Sequence, residues 1–167
     1  SVTRAVYALF ATLLVASAAL WQGLITHDFN IEYVASYTSR NLPGYFIVSA
    51  FWAGQKGSLL FWAVVLSRFA ALARWLTPAR YRALLPYVAA VTSSVTAFFI
   101  LVMLFASNPF ERLPFTPPDG NGLNPQLQNI GMVMHPPMLY LGYISVTIPF
   151  AFAIAALLRR RLDSGWI

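Results

Sequence analysis

Four long apolar segments divide the chain, and each has about the length that a helix needs to cross a bilayer. We therefore predict an all-α, polytopic integral membrane helical bundle that forms one membrane domain. The predicted transmembrane helices cover residues 5–26, 57–76, 83–106 and 137–159. Arg4 before the first segment also fits a signal peptide, but a run of about 20 residues is longer than a typical signal core.

Two long polar segments, residues 27–56 and 107–136, connect these spans. Within the first, Tyr45 to Trp52 is aromatic and apolar but too short to span, which favours a short interfacial helix. We expect this helix to pack beside the start of the fourth span. Two glycines and two polar residues follow it, and such interruptions persist at membrane depth only when protein covers them or they line a cavity.

The fourth apolar segment is preceded by His135 and opens with two prolines. Pro136 biases His135 toward extended backbone, and Pro137 suits the first turn of a helix. We therefore predict that the helix starts at Pro137 and that His135 lies just outside its hydrogen-bond ladder. The preceding loop should be tied down by side-chain hydrogen bonds from its amides. These amides are Asn124, Gln126, Gln128 and Asn129.

Composition and charge agree with a membrane protein. Of the 167 residues, 59% are hydrophobic and 10% charged, well below the charged fraction of soluble domains. The net charge of +6 does not indicate nucleic-acid binding, because most of the basic residues lie at the ends of apolar segments. With the spans as predicted, seven basic residues lie on one side of the membrane and three on the other. The positive-inside bias then places both long loops on the outer side.

His135 is the main candidate for cofactor chemistry, because a neutral imidazole is a common ligand of haem iron and of other metals. The alternative is that His135 donates a hydrogen bond to a backbone carbonyl at the start of a helix. His27, beside Asp28 in a loop, is expected to be solvated. The chain contains no cysteine, so it offers no thiolate ligand, disulfide or thiol nucleophile.

Three further residues near the predicted outer face are candidates for contacts with a planar or anionic ligand. Trp52 could stack on a planar cofactor, although an aromatic belt at the membrane interface explains it equally simply. Lys56 and Arg112 could pair with carboxylates. The alternative for these two cations is ordinary solvation.

The run LNPQLQNIGMVMHPPMLYLGY, preceded by SNPFERL and PPDG, resembles the cytochrome c maturation haem lyase family known as CcmF. YVASYTSRNLPGYF and WAGQKGSLLFW are similar to an earlier loop and a tryptophan–glycine segment of the same family. Together these motifs cover nearly the whole chain, and the related nitrite-reductase assembly proteins of the NrfE type share them. The chain departs from the family pattern at Ala53, where a glycine is usual, and at Lys56, where an acidic residue is common.

The resemblance implies a role in attaching haem b covalently to apocytochrome c on the periplasmic side of the bacterial inner membrane. It implies that His135 is an axial ligand of the haem iron. Trp52, Lys56 and Arg112 are our further candidates for haem contacts. The expected partners are a CcmE-type haem chaperone, a CcmH-type thiol protein and apocytochrome c. Because the chain starts at Ser1, we expect a piece of a longer protein, with the family's tryptophan-rich haem motif beyond Ile167. The alternative is a non-catalytic membrane scaffold or a transporter subunit.

Overall fold

The computed structural model describes residues 2–160 and is helical throughout that range apart from loops and turns. The helices are α1 (Val2–Thr26), α2 (Glu32–Tyr37), α3 (Gly44–Ala53), α4 (Gln55–Leu76), α5 (Leu85–Phe105), α6 (Ile130–Ser145) and α7 (Thr147–Leu158). Short 3₁₀ helices cover Ala79–Leu84 and Pro125–Leu127. Four helical segments are long and apolar enough to cross a membrane: Val2–Thr26, Gln55–Leu76, Ala79–Phe105 and Ile130–Leu158. The predicted all-α, four-span membrane bundle is confirmed.

Helix α4 lies at the centre of the bundle and contacts α1, α3, α5, α6 and α7. Its buried residues include Leu60 and Ala63, which share one core cluster with residues of α1 and α2. Helices α5 and α7 pack through a second cluster, where the small residues Ala151 and Ala155 are fully buried. Small residues at such contacts allow the helix backbones to approach closely.

The direction of the helices places the two long loops at the same end of the bundle. Residues 27–43 and 106–129 lie at this end, which we call the loop end. We call the opposite end, where α1 and α5 begin and α4 and α7 end, the arginine end. Arg161, the last of the three arginines predicted to close the fourth span, lies outside the described residues.

The predicted short aromatic helix is present as α3, and it packs against both α4 and α6. Phe46 is buried there with Leu42 and Leu123, and Val133 of α6 packs against them. The expectation that this segment lies beside the start of the fourth span is therefore confirmed. Its interfacial location stays a prediction.

The predicted start of the fourth span is wrong. Helix α6 begins at Ile130, so that Pro136 and Pro137 lie inside it. Asn129 nucleates this earlier start, because its side chain accepts a hydrogen bond from the Gly131 N–H at 2.8 Å. Proline inside a helix removes a backbone donor, a loss that membrane helices tolerate when their neighbours compensate for it.

A break at Val146 divides the fourth span into α6 and α7. Pro149 lies in the first turn of α7 and has no N–H to donate to the carbonyl of Ser145. The Ser145 hydroxyl donates to the Gly142 carbonyl at 2.7 Å, one turn before the break. The sequence analysis did not identify this second proline break.

Candidate functional site

His135 is the sixth residue of α6, near the loop end, and its side chain is exposed. The prediction that it lies outside the helical ladder is wrong for the reason given above. Within residues 2–160, neither ring nitrogen has a hydrogen-bond partner, so the alternative in which the imidazole bonds a backbone carbonyl is also wrong. The imidazole is left available to a ligand from outside the described structure.

The face of α6 that carries His135 is uncovered. Residues three and four positions away on a helix lie on the same face, and here these include Gly131, Met138 and Leu139. Met138 and Leu139 are 59% and 41% exposed. One turn further on, Gly142 has no heavy atom within 4 Å of the position where a Cβ would lie. Within residues 2–160, the face of α6 beside the imidazole is therefore apolar and open.

The loop before α6 is held by its own side chains, as predicted. Asn124 Oδ1 accepts from the Gln126 N–H at 3.0 Å, and Gln128 Nε2 donates to the Leu123 carbonyl at 2.8 Å. With the Asn129 cap, three of the four predicted amides stabilise the loop through their side chains. These bonds fix where α6 begins and therefore where His135 lies.

A short chain of hydrogen bonds connects α6 to the junction between α3 and α4. The Tyr140 hydroxyl donates to Ser58 Oγ at 3.2 Å, and the Ser58 hydroxyl donates to the Trp52 carbonyl at 2.9 Å. These three residues come from two of the sequence motifs that carry the family resemblance. The structure therefore brings the motifs together, although Ser58 and Tyr140 were not predicted as site residues.

Tyr33 of α2 occupies the junction itself. The Tyr33 hydroxyl accepts a hydrogen bond from the Gly54 N–H at 3.1 Å. The same hydroxyl lies 2.9 Å from the Ala50 carbonyl, to which it can donate. Gly54 and Gly57 leave room for the Tyr33 and Tyr37 rings, since a Cβ at Gly54 would lie 2.3 Å from the Tyr37 ring. Burial raises the pKa of the Tyr33 phenol, so the hydroxyl stays protonated. The glycines and polar residues that follow the short aromatic segment therefore form the break between α3 and α4, and protein covers this break.

Trp52 lies at the end of α3, and its ring packs against Phe61 with centroids 5.8 Å apart. Phe61 in turn contacts Tyr140 of α6 at 5.7 Å. The indole Nε1–H of Trp52 and the Ser17 hydroxyl are buried without a partner among the described residues. Both residues line an apolar groove of about 270 Å³ between α1, α3 and α4. Trp52 therefore belongs to an aromatic cluster that reaches α6, and its contact with haem stays a prediction.

Lys56 is not an isolated cation. Its ammonium forms ion pairs with Glu32 and, at 2.8 Å, with Glu111, and its side chain is 24% exposed. The hydrogen bond from Lys56 lowers the pKa of the Glu111 carboxyl. These ion pairs connect the start of α4 to both long loops. Solvation, the alternative considered for this lysine, does not describe its environment.

Arg112 is exposed, and its backbone pairs with Ile31 in an isolated antiparallel bridge. Beside this bridge the Leu113 N–H donates to the Asn30 carbonyl at 2.9 Å. The bridge joins the two long loops, so the backbone of Arg112 has a structural role. Its guanidinium as a haem contact stays a prediction.

The environment of His27 differs from the predicted one. Its Nε2 atom is buried and has no partner among the described residues, and its ring lies edge-on to Phe29 at 6.0 Å. The residue adopts a positive φ of 53° directly after α1. The Asp28 N–H donates back to the Gly23 carbonyl at 3.0 Å, as in a Schellman helix end. His27 therefore ends a helix rather than extending into solvent.

Comparison with known proteins places these residues in a family. A model described as cytochrome C assembly protein matches residues 52–166, which is more than half of the chain. The chain belongs to this family. The matched range contains His135, and it also contains Trp52, Ser58 and Tyr140, which join α3, α4 and α6 at the loop end.

Individual relatives carry related names. The cytochrome c-type biogenesis protein CcmF of Pseudomonas fluorescens is 44% identical over 158 residues, covering 94% of this chain and 24% of the relative. CcmF of Escherichia coli is 41% identical over 164 residues, covering 95% of this chain and 25% of the relative. The cytochrome c-type biogenesis protein NrfE of Haemophilus influenzae is 35% identical over 147 residues, covering 84% of this chain and 23% of the relative. The chain thus spans about a quarter of the length of these relatives, and no solved structure matches it.

Proposed function

We propose that this chain is part of a haem lyase that takes part in cytochrome c maturation and presents His135 as an axial ligand to haem. The observation that carries the proposal is the similarity of nearly the whole chain to cytochrome c-type biogenesis proteins, with His135 on an uncovered helix face. Haem b is the substrate in this proposal. It receives two thioether bonds when cysteine thiols of apocytochrome c add to its vinyl groups.

The residues around His135 fit a haem. The imidazole is exposed and unbonded within the described structure, and the neighbouring face of α6 is apolar, as a porphyrin requires. The described residues contain no group of three or more metal-ligating side chains. In this proposal the second axial ligand of the haem lies outside this chain. In this proposal both sulfur atoms come from the apocytochrome, and this chain itself contains no cysteine.

The rest of the described site supports one task, which is holding α6 in place. The Tyr140–Ser58–Trp52 hydrogen bonds fix α6 to the α3–α4 junction, and the Asn129 cap fixes its first turn. A ligand held in one orientation lowers the entropic cost of the reaction that follows. We extend the proposal to the partners implied by the family: a CcmE-type chaperone as haem donor, a CcmH-type thiol protein and the apocytochrome. The proposed location is the inner membrane, with the loop end in the periplasm.

The test replaces His135 by alanine in the full-length protein and measures haem absorbance of the purified protein together with assembled cytochrome c. Losing an outer-shell partner of a metal ligand typically costs roughly 10- to 100-fold, so losing the ligand itself should cost at least as much. We expect His135→Ala to lose cytochrome c assembly to that extent at unchanged expression. Added imidazole should restore part of it.

His27→Ala is the matched control, since it removes the only other histidine, which also lies at the loop end. It should retain haem and assembly. Normal cytochrome c assembly in the His135→Ala protein would show that His135 is not an essential ligand. Equal losses in both variants would indicate that the histidines stabilise the loop end instead.

A further inference from the structure

A pocket opens at the arginine end of the bundle, far from the residues discussed so far. It has a volume of about 110 Å³ and lies between the first turns of α1, the last turns of α4 and the start of α5. Its walls are apolar, with Val6 and Val88 buried at their base. Two cationic side chains, Arg74 and Arg82, complete the lining.

Arg74 is held in a defined position at this pocket. Its Nε donates a hydrogen bond to the Thr3 hydroxyl at 2.9 Å, which ties the end of α4 to the start of α1. Nε is only one of the guanidinium nitrogens. No residue in the described range accepts a hydrogen bond from the other two nitrogens, or from the guanidinium of Arg82. Among the described residues, the pocket therefore presents guanidinium donors without acceptors, and the Thr3 bond orients those of Arg74.

The described part of the chain supplies no counter-charge at this end. Its acidic residues lie in the loops and in α2 at the loop end: Asp28, Glu32, Glu111 and Asp119. Arg74 is partly buried, and a partly buried charge without a counter-ion is costly. Guanidinium groups bind phosphate well, because their planar fork offers two parallel N–H donors. An oxyanion is thus the ligand that the pocket suits.

The surroundings of the pocket indicate the source of that oxyanion. Trp75 and Leu76 end α4 beside Arg74 and are 73% and 65% exposed, as in side chains that lie at lipid headgroup level. The apolar walls formed by Val6 and Val88 would also suit the first carbons of an acyl chain rather than a fully hydrated ion. Both features favour a lipid over free phosphate.

We propose that this pocket binds the phosphate group of an anionic phospholipid, with Arg74 and Arg82 as its ligands and Thr3 as the residue that positions Arg74. Such a lipid would bridge α1, α4 and α5 at one membrane surface. The proposal depends on the arginine end alone and is independent of the haem proposal.

The test uses the full-length protein, stripped of lipid in detergent and titrated with phosphatidylglycerol in native mass spectrometry. A basic residue near an anionic membrane surface contributes enough attraction to change affinity about fivefold, so Arg74→Gln with Arg82→Gln should weaken binding about 30-fold. Phosphatidylglycerol should also raise the midpoint of thermal unfolding of the parent protein but not of this double variant. Phosphatidylcholine should bind less well, because its choline cation would face the arginines.

Arg159→Gln is the matched control, because it removes the same charge at the same end without touching the pocket. It should leave phosphatidylglycerol binding unchanged, as should Asp163→Asn. An equal loss in Arg159→Gln would overturn the proposal in favour of general surface charge. Inorganic phosphate that competes as well as the lipid would overturn the lipid assignment and leave a simple anion site. Stronger lipid binding by Asp163→Asn would show that this carboxylate is the natural partner of the arginines.

Discussion

Gly57 is one of the most tightly enclosed residues of the loop end. A Cβ there would lie 2.0 Å from the Phe51 carbonyl oxygen and 2.3 Å from the Tyr33 hydroxyl. The first of these neighbours is backbone and cannot rotate away. The residue type at this position is therefore set by contact with α2 and α3 and not by the helix in which Gly57 lies.

We predict that Gly57→Ala destabilises the protein by about 1–3 kcal/mol or more, the usual cost of overpacking a filled site. Gly142→Ala is the matched control, because the same change in α6 meets open space. Alanine there should be neutral or should stabilise by up to about 1 kcal/mol through helix propensity. Thermal unfolding of both variants in detergent distinguishes them. Equal midpoints would contradict the packing described for Gly57.

Single residues also show what the sequence could not reveal. Lys56 is an unpaired cation in the linear sequence, because its partners Glu32 and Glu111 lie 24 and 55 positions away. No local pattern predicts such pairs. By contrast, the sequence did predict that the Asn129 side chain bonds nearby backbone, because amide side chains often do so in loops, but it did not predict that this bond caps a helix.

At the scale of elements, the largest error concerns the start of α6. The two prolines predicted a helix beginning at Pro137, since proline normally belongs to a first turn. The helix begins seven residues earlier, at Ile130, because the Asn129 cap and two backbone bonds to its carbonyl establish the first turn before the prolines are reached. The Met132 and Val133 N–H groups make those two bonds. Cap and proline signals compete here, and the cap determines the boundary.

The ion pairs of Lys56 should make the contact between the two long loops sensitive to acid. Lys56 lowers the pKa of Glu111 in the folded protein. The Glu111 carboxylate therefore stabilises the folded loops fully at a pH above the ordinary glutamate pKa, and this stabilisation is lost as the pH falls through the lowered pKa. We predict that the loops open more readily only at a pH below the ordinary pKa of a glutamate side chain. The Glu32 N–H donates to the Glu111 carbonyl and the Leu113 N–H to the Asn30 carbonyl, so both bonds join the two loops. The hydrogen-exchange rates of these two amides, corrected for the pH dependence of intrinsic exchange, report the opening.

Replacing the lysine tests the origin of that pH dependence. In Lys56→Met, Glu111 should titrate near its ordinary pKa, and exchange at these two amides should already rise at a higher pH. Lys56→Arg keeps the charge and should keep the parent profile approximately. An unchanged profile in Lys56→Met would show that the loops are held by their backbone bonds alone.

At the scale of the whole molecule, the number of spans was predictable and the assembly of the loop end was not. Four apolar segments of sufficient length predict four membrane helices. A single segment that crosses lipid must satisfy its own backbone N–H and C=O groups, and a helix does so. The loop end is built from contacts between residues that are distant in the sequence, such as Asn121 donating to the Ala35 carbonyl at 2.7 Å. Only a structure shows that Tyr33 lies at the junction of α3 and α4 or that Tyr140 reaches Ser58.

The orientation of the bundle in the membrane is the remaining property of the whole molecule, and charge predicts it. Among the described basic residues, six lie at the arginine end and three at the loop end, and the predicted count of seven also includes Arg161. The arginine end should therefore face the cytoplasm. Arg112 and Arg80 are both exposed and lie at opposite ends, and the chain has no cysteine of its own. In intact cells, a membrane-impermeant maleimide should label the Arg112→Cys variant, whereas the Arg80→Cys variant should react only after permeabilisation. The reverse result would place His135 on the cytoplasmic side and remove the proposed haem site from the compartment where apocytochrome c is matured.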